Sequence, residues 1–204
     1  MSAVITSPHP FSVPLPHARG PRPVRWTRAE YYRLGELGFF AGRHVELICG
    51  EIVLMSPISE PHVAGVSLTT DAIKAAFGPG FYVRVQAPIN LGDSDPEPDV
   101  AVVTGGPRET LITPTSALLV VEVSDTSRDY DTTTKAELYA TAGVPEYWVL
   151  DLEHRQLLVF RDPVPLPVGL GATAYRTHLT LGPDETVSPL AAPTALVKVA
   201  DLLP

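Results

Sequence analysis

Hydrophobic and polar positions alternate along this chain in short runs whose period changes several times. Up to about Val24 the sequence is rich in Pro, with Ser, His and Gly, and shows neither a period of two nor one of 3.6. Residues 1–24 therefore read as a disordered, Pro-rich tail. Trp26-Thr27-Arg28-Ala29-Glu30 has the form of a capping box, with Thr27 as cap and Glu30 three residues on. It predicts a short helix to about Leu37, ending near Gly38. HVELICGEIVLMSP alternates around Gly50 and predicts two strands joined by a tight turn. From His62 to Phe77, the residues Val63, Val66, Ile73, Ala76 and Phe77 recur at roughly helical spacing, and Gly78-Pro79-Gly80 stops that helix.

Three strands are predicted next, in FYVRVQA, PDVAVV and ALLVVEVS. A helix from about Thr132 to Ala142 follows, with Asp129 and Asp131 near its positive end and Gly143-Val144-Pro145 closing it. EYWVLDL reads as a strand, and QLLVFR as its partner, paired back through Glu153-His154. DPVPLPVGLGA reads as a loop, and TAYRTHLTL, ETVSPL and ALVKVADLLP as peripheral strands with a final hydrophobic anchor. The core order is helix, three strands, helix, strand. This predicts an α/β domain over residues 25–204, with no internal repeat.

Composition narrows the class. A chain of 204 residues with 45% hydrophobic content fits one domain with a sizeable core. No apolar run approaches the roughly 20 residues needed to span a bilayer, and the first residues lack the pattern of a signal peptide. A single cysteine, Cys49, excludes an internal disulfide and fits a cytoplasmic protein. The formal net charge of −8 argues against tight, non-specific adhesion to nucleic acid. It leaves room for a nuclease, whose acidic metal site repels DNA until cations fill it.

The candidate chemistry lies between Pro98 and Asp151. Asp99 opens one apolar run and Glu122 sits inside another, LLVVEVS. An acid inside a strand is costly to bury unless it is paired or binds a cation. If the two strands pair antiparallel, Asp99 and Glu122 meet, and the backbone carbonyl of Val123 is an extra oxygen ligand. Mg²⁺ held by one or two carboxylates would serve phosphodiester hydrolysis. Lys135, on the first turns of the next helix, would reach back to orient an attacking water. Glu46, in VELICGEI, is the other acid within an apolar run and a candidate fourth member. Taken singly, each residue has a blander reading: Asp99 in a turn dipeptide, Lys135 on a helix surface, a strand acid facing solvent. The combination is more specific than its parts.

VELICGEIVLMSP with His62 following, PEPDVAVV, the block LVVEVSDTSRDYDTTTKAELYATAGVPEYWVLD and the closing VADLLP resemble the Uma-type restriction endonuclease-like family of the PD-(D/E)XK nuclease superfamily. The resemblance implies a restriction-endonuclease-like core, a mixed sheet in the order helix-strand-strand-strand-helix-strand, with extra N- and C-terminal strands. It also implies a Mg²⁺ or Mn²⁺ site with Asp99 and Glu122 as ligands, Lys135 as the active-site lysine and Glu46 from the N-terminal motif. Ser124 stands two residues after Glu122, where the superfamily signature has lysine, so the lysine comes from the following helix.

The expected function is Mg²⁺-dependent endonuclease action on DNA, by a two-fold homodimer that cuts both strands. The alternatives are a weak or inactive nuclease-fold scaffold, and a hydrolase of RNA or another phosphoester. His62 reads more simply as structural, and Trp148 and Tyr147 as core. Asp125, Asp129 and Asp131 read mainly as turn and cap residues. Tyr139 reads as helix packing with its hydroxyl within reach of the site. Arg84 and Arg128 carry little weight as phosphate contacts, and His44, His154 and His178 share no spacing.

Overall fold

A computed structural model of the chain describes residues 23–165 and 173–204. The tail expected over residues 1–24 lies outside them up to residue 22, as does the loop expected in DPVPLPVGLGA over residues 166–172. Helix α1, Arg28–Glu36, starts from the capping box: the Thr27 side chain accepts from the Glu30 amide, and Glu30 reaches back to the Thr27 amide. Strands β1 (Val45–Ile48) and β2 (Glu51–Leu54) form an antiparallel hairpin. Its two turn residues, Cys49 and Gly50, both have positive φ, the conformation that tight hairpins favour. A Cβ at Gly50 would lie 3.0 Å from that of Arg25, so the segment leading into α1 packs directly on the turn.

Helix α2 spans Glu60–Phe77, two residues earlier than the periodicity of its apolar positions suggests, because Ser59 caps it and Pro61 suits its first turn. After it come β3 (Phe81–Val85), β4 (Val100–Thr104) and β5 (Leu119–Ser124). The next helical segment has three parts: α3 (Arg128–Tyr130), a π turn (Asp131–Lys135) and α4 (Ala136–Thr141). Its start at Arg128 corrects the expected start at Thr132. DTTT carries no apolar period, and its three threonines have low helix propensity, which hides the first turns.

Strands β6 (Glu146–Asp151), β7 (Gln156–Pro165) and β8 (Thr173–Leu181) complete a six-stranded sheet in the order β3-β4-β5-β6-β7-β8. Only β5 and β6 run parallel, as their helical crossover requires. Residues 162–165, expected in the loop, extend β7 instead. Pairing with β6 ends at Arg161, so Pro163 and Pro165 lie where β7 has β8 as its single neighbour and tolerates proline. A small ladder of β9 (Thr186–Val187) and β10 (Val197–Lys198), with a 3₁₀ turn at Val199–Asp201, buries Leu202 and Leu203 as the expected C-terminal anchor.

The sheet is covered on both faces. On one, Val66, Ile73 and Phe77 of α2 and the C-terminal Leu202 pack on Val100, Val121, Trp148 and Val159. On the other, Ala136, Tyr139 and Ala140 pack on Val120, Tyr147, Val149 and Phe160. All six residues of β5 are buried, and by alternation Glu122 lies on the α4 face with Val120. This confirms the α/β mixed-sheet core with extra strands at both ends. Among the described residues, no helix is long and apolar enough to cross a membrane.

Candidate active site

Four separate elements deliver the expected site residues to one place. Asp99 stands immediately before β4, Glu122 near the end of β5, Lys135 at the end of the π turn and Glu46 on β1. All four are buried, with 7%, 4%, 2% and 1% of their surfaces exposed. Because β4 and β5 pair antiparallel, the two acids meet as the sequence suggested. Glu122 Oε2 accepts the Asp99 amide at 3.2 Å, and Asp99 Oδ2 accepts the Val123 amide at 2.8 Å. Each carboxylate is thus held by the backbone of the other strand.

Lys135 Nζ donates to Glu122 Oε1 at 2.9 Å and to Glu46 Oε1 at 3.2 Å. It joins two acids 76 residues apart in sequence, from Glu46 to Glu122. Tyr139 Oη donates to the same Glu122 oxygen at 2.8 Å. Lys135 and Tyr139 are four residues apart on a helix and so share a face, which is the signal that identifies Tyr139 from sequence. The π turn matters to this arrangement, since its extra residue sets the rotation of Lys135 relative to the turn before it.

His62, which the sequence favours as structural, is brought to the site. Its Nε2 lies 3.1 Å from Asp99 Oδ1. Ser59 fixes the start of the helix that carries it: its hydroxyl accepts the His62 amide at 3.3 Å and donates to Asp125 Oδ2 at 2.6 Å. Gln86 reaches Asp99 Oδ1 at 3.4 Å. Asp131, expected mainly as a cap, is buried and accepts from Ser127 Oγ at 2.6 Å, while Ser124, at the signature's lysine position, lies 3.4 Å from Ser127 Oγ. No spacing rule marks Ser127 or Asp131.

Of the other candidates, Arg128, His44 and His154 line the cavity beside Asp99 and Glu122, each paired with an acid, while Arg84 and His178 stand elsewhere. Arg128 is tied to Asp151 at 2.8 Å, and Arg84 to the Pro88 carbonyl at 3.2 Å. His44 lies beside Glu97 at 3.5 Å and His154 beside Asp151 at 3.0 Å, while His178 contacts the Tyr175 carbonyl at 2.9 Å. Trp148 and Tyr147 are fully buried core, as expected.

Charge is unbalanced at this site. Burial pushes the Glu122 carboxyl up to about 8, with Lys135 pulling the other way and Asp99, Asp131 and Glu46 adding to the rise. Burial also works against the Lys135 ammonium, but Glu122, Glu46 and Asp131 outweigh it and hold its pKa above the ordinary lysine value. Both shifts are upward, the glutamate's chiefly from burial and the lysine's because several carboxylates surround one ammonium: the lysine stays charged, and Glu122 tends to keep its proton. The hydrogen bond to Asp99 raises the His62 imidazole, against its partial burial.

That excess of buried carboxylate oxygen suits a hard divalent cation. Among the described residues, no three His, Cys, Asp or Glu side chains form a closed metal cage. Mg²⁺ needs none, since it takes one or two carboxylates and fills its octahedron with water and phosphate oxygens. Asp99 and Glu122 fit that role. Asp99 Oδ2 and Glu122 Oε2 each accept from a backbone amide, and a carboxylate oxygen has a second lone pair to offer a cation. A cavity of about 690 Å³ opens beside them, lined also by Glu46, Lys135, Tyr130 and Arg128.

Comparison with known proteins agrees with this architecture. Residues 28–197 match the family described as "Uma2: Putative restriction endonuclease". A crystal structure described as that of "a putative nuclease belonging to DUF820", from Anabaena variabilis ATCC 29413, superposes with a TM-score of 0.62. It shares 20% sequence identity, over 88% of this chain and 97% of that one, and so supports the fold alone. No curated protein sequence matches significantly. With that match running from α1 into β10, the chain belongs to the Uma2 family of restriction-endonuclease-like proteins.

Proposed function

We propose that this protein is a Mg²⁺- or Mn²⁺-dependent endonuclease that hydrolyses phosphodiester bonds in DNA. The observation that carries the reading is the meeting of Asp99 and Glu122 across β4 and β5, with Lys135 donating to Glu122. A divalent cation held by Asp99 and Glu122, with the Val123 carbonyl as a further oxygen, would neutralise phosphate charge and activate water. The chain's own residues do the rest. Lys135 positions the attacking water and offsets negative charge that develops at phosphorus. Tyr139 holds Glu122, and His62, Gln86 and the Val123 amide hold Asp99, so neither carboxylate can swing away from the cavity. In this reading residues 25–204 act as one domain, in the cytoplasm, and a two-fold dimer presents one site to each strand of a duplex.

Calorimetry with Mn²⁺ on the wild type and on Asp99→Ala tests the site. Binding in the first that is lost in the second is the expected result. Glu122→Ala should then lower DNA cleavage by on the order of 10³-fold or more while circular dichroism shows the fold intact. Wild-type cleavage by a folded Glu122→Ala protein would sink the assignment. A scaffold without activity is the reading that Ser124 favours, since the strand lysine of the signature is missing. It requires that Asp99 and Glu122 hold no metal.

A further inference from the structure

Among the described residues that line the cavity beside Asp99 and Glu122, two carry a permanent positive charge, Lys135 and Arg128. Lys135 is buried and donates to Glu122 and Glu46. Arg128 is the one that meets open space, with 40% of its side chain exposed. It is nevertheless held in place. Its Nε donates at 2.8 Å to Asp151 Oδ2, on a carboxylate that is 1% exposed. The same carboxylate accepts Gln156 Nε2 at 2.9 Å and the His154 amide at 3.1 Å, and the His154 ring Nδ1 lies 3.1 Å from its Oδ1. Burial acts to raise the Asp151 carboxyl, but these bonds outweigh it and hold it below the ordinary aspartate value. A buried, charged acid thus fixes two side chains that both line the cavity, one from the start of α3 and one from the turn between β6 and β7.

Both side chains keep donors that Asp151 does not use. A guanidinium carries five N–H groups in a flat fork, and Asp151 takes the one on Nε. Asp129 Oδ1, on a fully exposed side chain, is 3.9 Å from Nη1, too far for a hydrogen bond. A protonated imidazole donates from both nitrogens, so with Nδ1 on Asp151 the His154 Nε2 is left for another acceptor, and 54% of that side chain is exposed. The register of the sheet places this pair relative to the carboxylates. Asp151 pairs with Ser124 in the parallel β5–β6 ladder, so it stands one strand over and two residues on from Glu122, on the same face. Strand spacing and rise put those two Cα atoms roughly 8 Å apart. We propose that Arg128 and His154, oriented by Asp151, bind a neighbouring phosphate of the DNA backbone, outside the reaction centre. This rests on the nuclease reading above and adds to it a contact that positions the substrate. The guanidinium fork matches the paired oxygens of a phosphate. In a chain with a net charge of −8, such a local cation offsets the repulsion that an approaching phosphate strand meets.

Initial rates of Mn²⁺-dependent cleavage of a labelled DNA duplex, at pH 6 and over a range of NaCl concentrations, test this. Arg128→Gln should raise KM roughly ten- to a hundredfold, the loss of one charge-assisted contact, with kcat and calorimetric Mn²⁺ affinity unchanged. The slope of log KM against log salt should also fall by about 0.9, as one phosphate contact is given up. A role confined to holding Asp151 would not move that slope. His154→Gln should likewise raise KM, by roughly three- to tenfold. It lies on an exposed turn and so keeps the test open should Arg128→Gln fail to fold. Wild-type KM in either folded variant, or a raised KM with an unchanged salt slope in Arg128→Gln, overturns the inference and leaves the nuclease reading standing. A wild type that neither binds Mn²⁺ nor cleaves DNA overturns the reading itself, and the inference with it.

Discussion

At the scale of single residues, the site is set by how many acids share one lysine. Glu122 is driven up to about 8, from an ordinary value near 4.5, by its burial. Between those values the folded protein holds a proton that the unfolded chain has released, so stability falls as pH rises from about 4.5 to about 8. His62 acts in the same direction. Its imidazole is raised by Asp99, and the stability it adds below its unfolded pKa is lost as pH climbs through the folded one. The melting temperature without metal should therefore drop from pH 6 to pH 9, and Glu122→Gln, which cannot ionise, should drop less. Equal slopes in the two proteins would show that Glu122 carries no unusual proton. The sequence made the four charged residues legible because acids inside apolar strands are rare enough to notice. It favoured a structural role for His62, a single histidine at a helix start, since the contact that brings it to the site is with Asp99, 37 residues away.

At the scale of elements, the segment Arg128–Thr141 decides which side chains face the cavity. Its C-terminal part is fixed to the sheet through Ala136, Tyr139 and Ala140, and its N-terminal part carries Tyr130 and Asp131. The π turn between them adds one residue, about 100° of helical rotation. Deleting Thr133 should restore a regular α-helix, leave Lys135 on Glu122 and rotate the Arg128–Asp131 turn, which lines the cavity, relative to it. The expected protein is folded and binds Mn²⁺ as the wild type does, but cleaves at least tenfold more slowly. Unchanged cleavage by the deletion protein would mean that the π turn has no part in placing the site. Strand and helix periods showed nearly every element of the sheet from sequence. They could not show a π turn, because its residues follow no hydrophobic period, nor the two ends of this helix as one functional unit. Gly65 of α2 is equally silent in sequence. A Cβ there would come within 2.9 Å of Val123 Cγ1, so the helix lies directly on the strand whose amide holds Asp99.

At the scale of the whole molecule, the site spans two separately hydrogen-bonded units. The main sheet supplies Asp99 and Glu122, and the β1–β2 hairpin supplies Glu46. Asp95 ties them together: its amide bonds the Leu47 carbonyl at 2.7 Å, and its carboxylate takes Arg28 Nε at 2.7 Å and the Tyr32 hydroxyl at 2.5 Å. Asp95→Ala should cost roughly 2 kcal/mol in denaturant unfolding, less than the ~3–5 of a fully buried pair, because Arg28 keeps 28% of its side chain in water. Cleavage should fall further than stability alone explains, through the misplacement of Glu46. A variant with full activity per folded molecule would show that the hairpin docks without this tie. The sequence showed the hairpin as a hairpin, but its docking runs through Asp93, Ser94 and Asp95, in a loop that carries no period.

Lys135 closes a circuit from the first strand of the chain to the last turn before α4, and this gives folding a direction in time. A growing chain makes the Glu46 hairpin early, but its partner lysine and the strand that carries Glu122 come much later. Until then every one of these charges is in water and costs nothing. Docking of the hairpin is the step that withdraws them from solvent, and it joins residues 89 positions apart in the sequence. Such contacts form late and open first. The amides of β1 are thus expected to exchange with solvent faster than those of β5 and β6, and the cavity beside Asp99 and Glu122 to be the first part of the molecule to come undone.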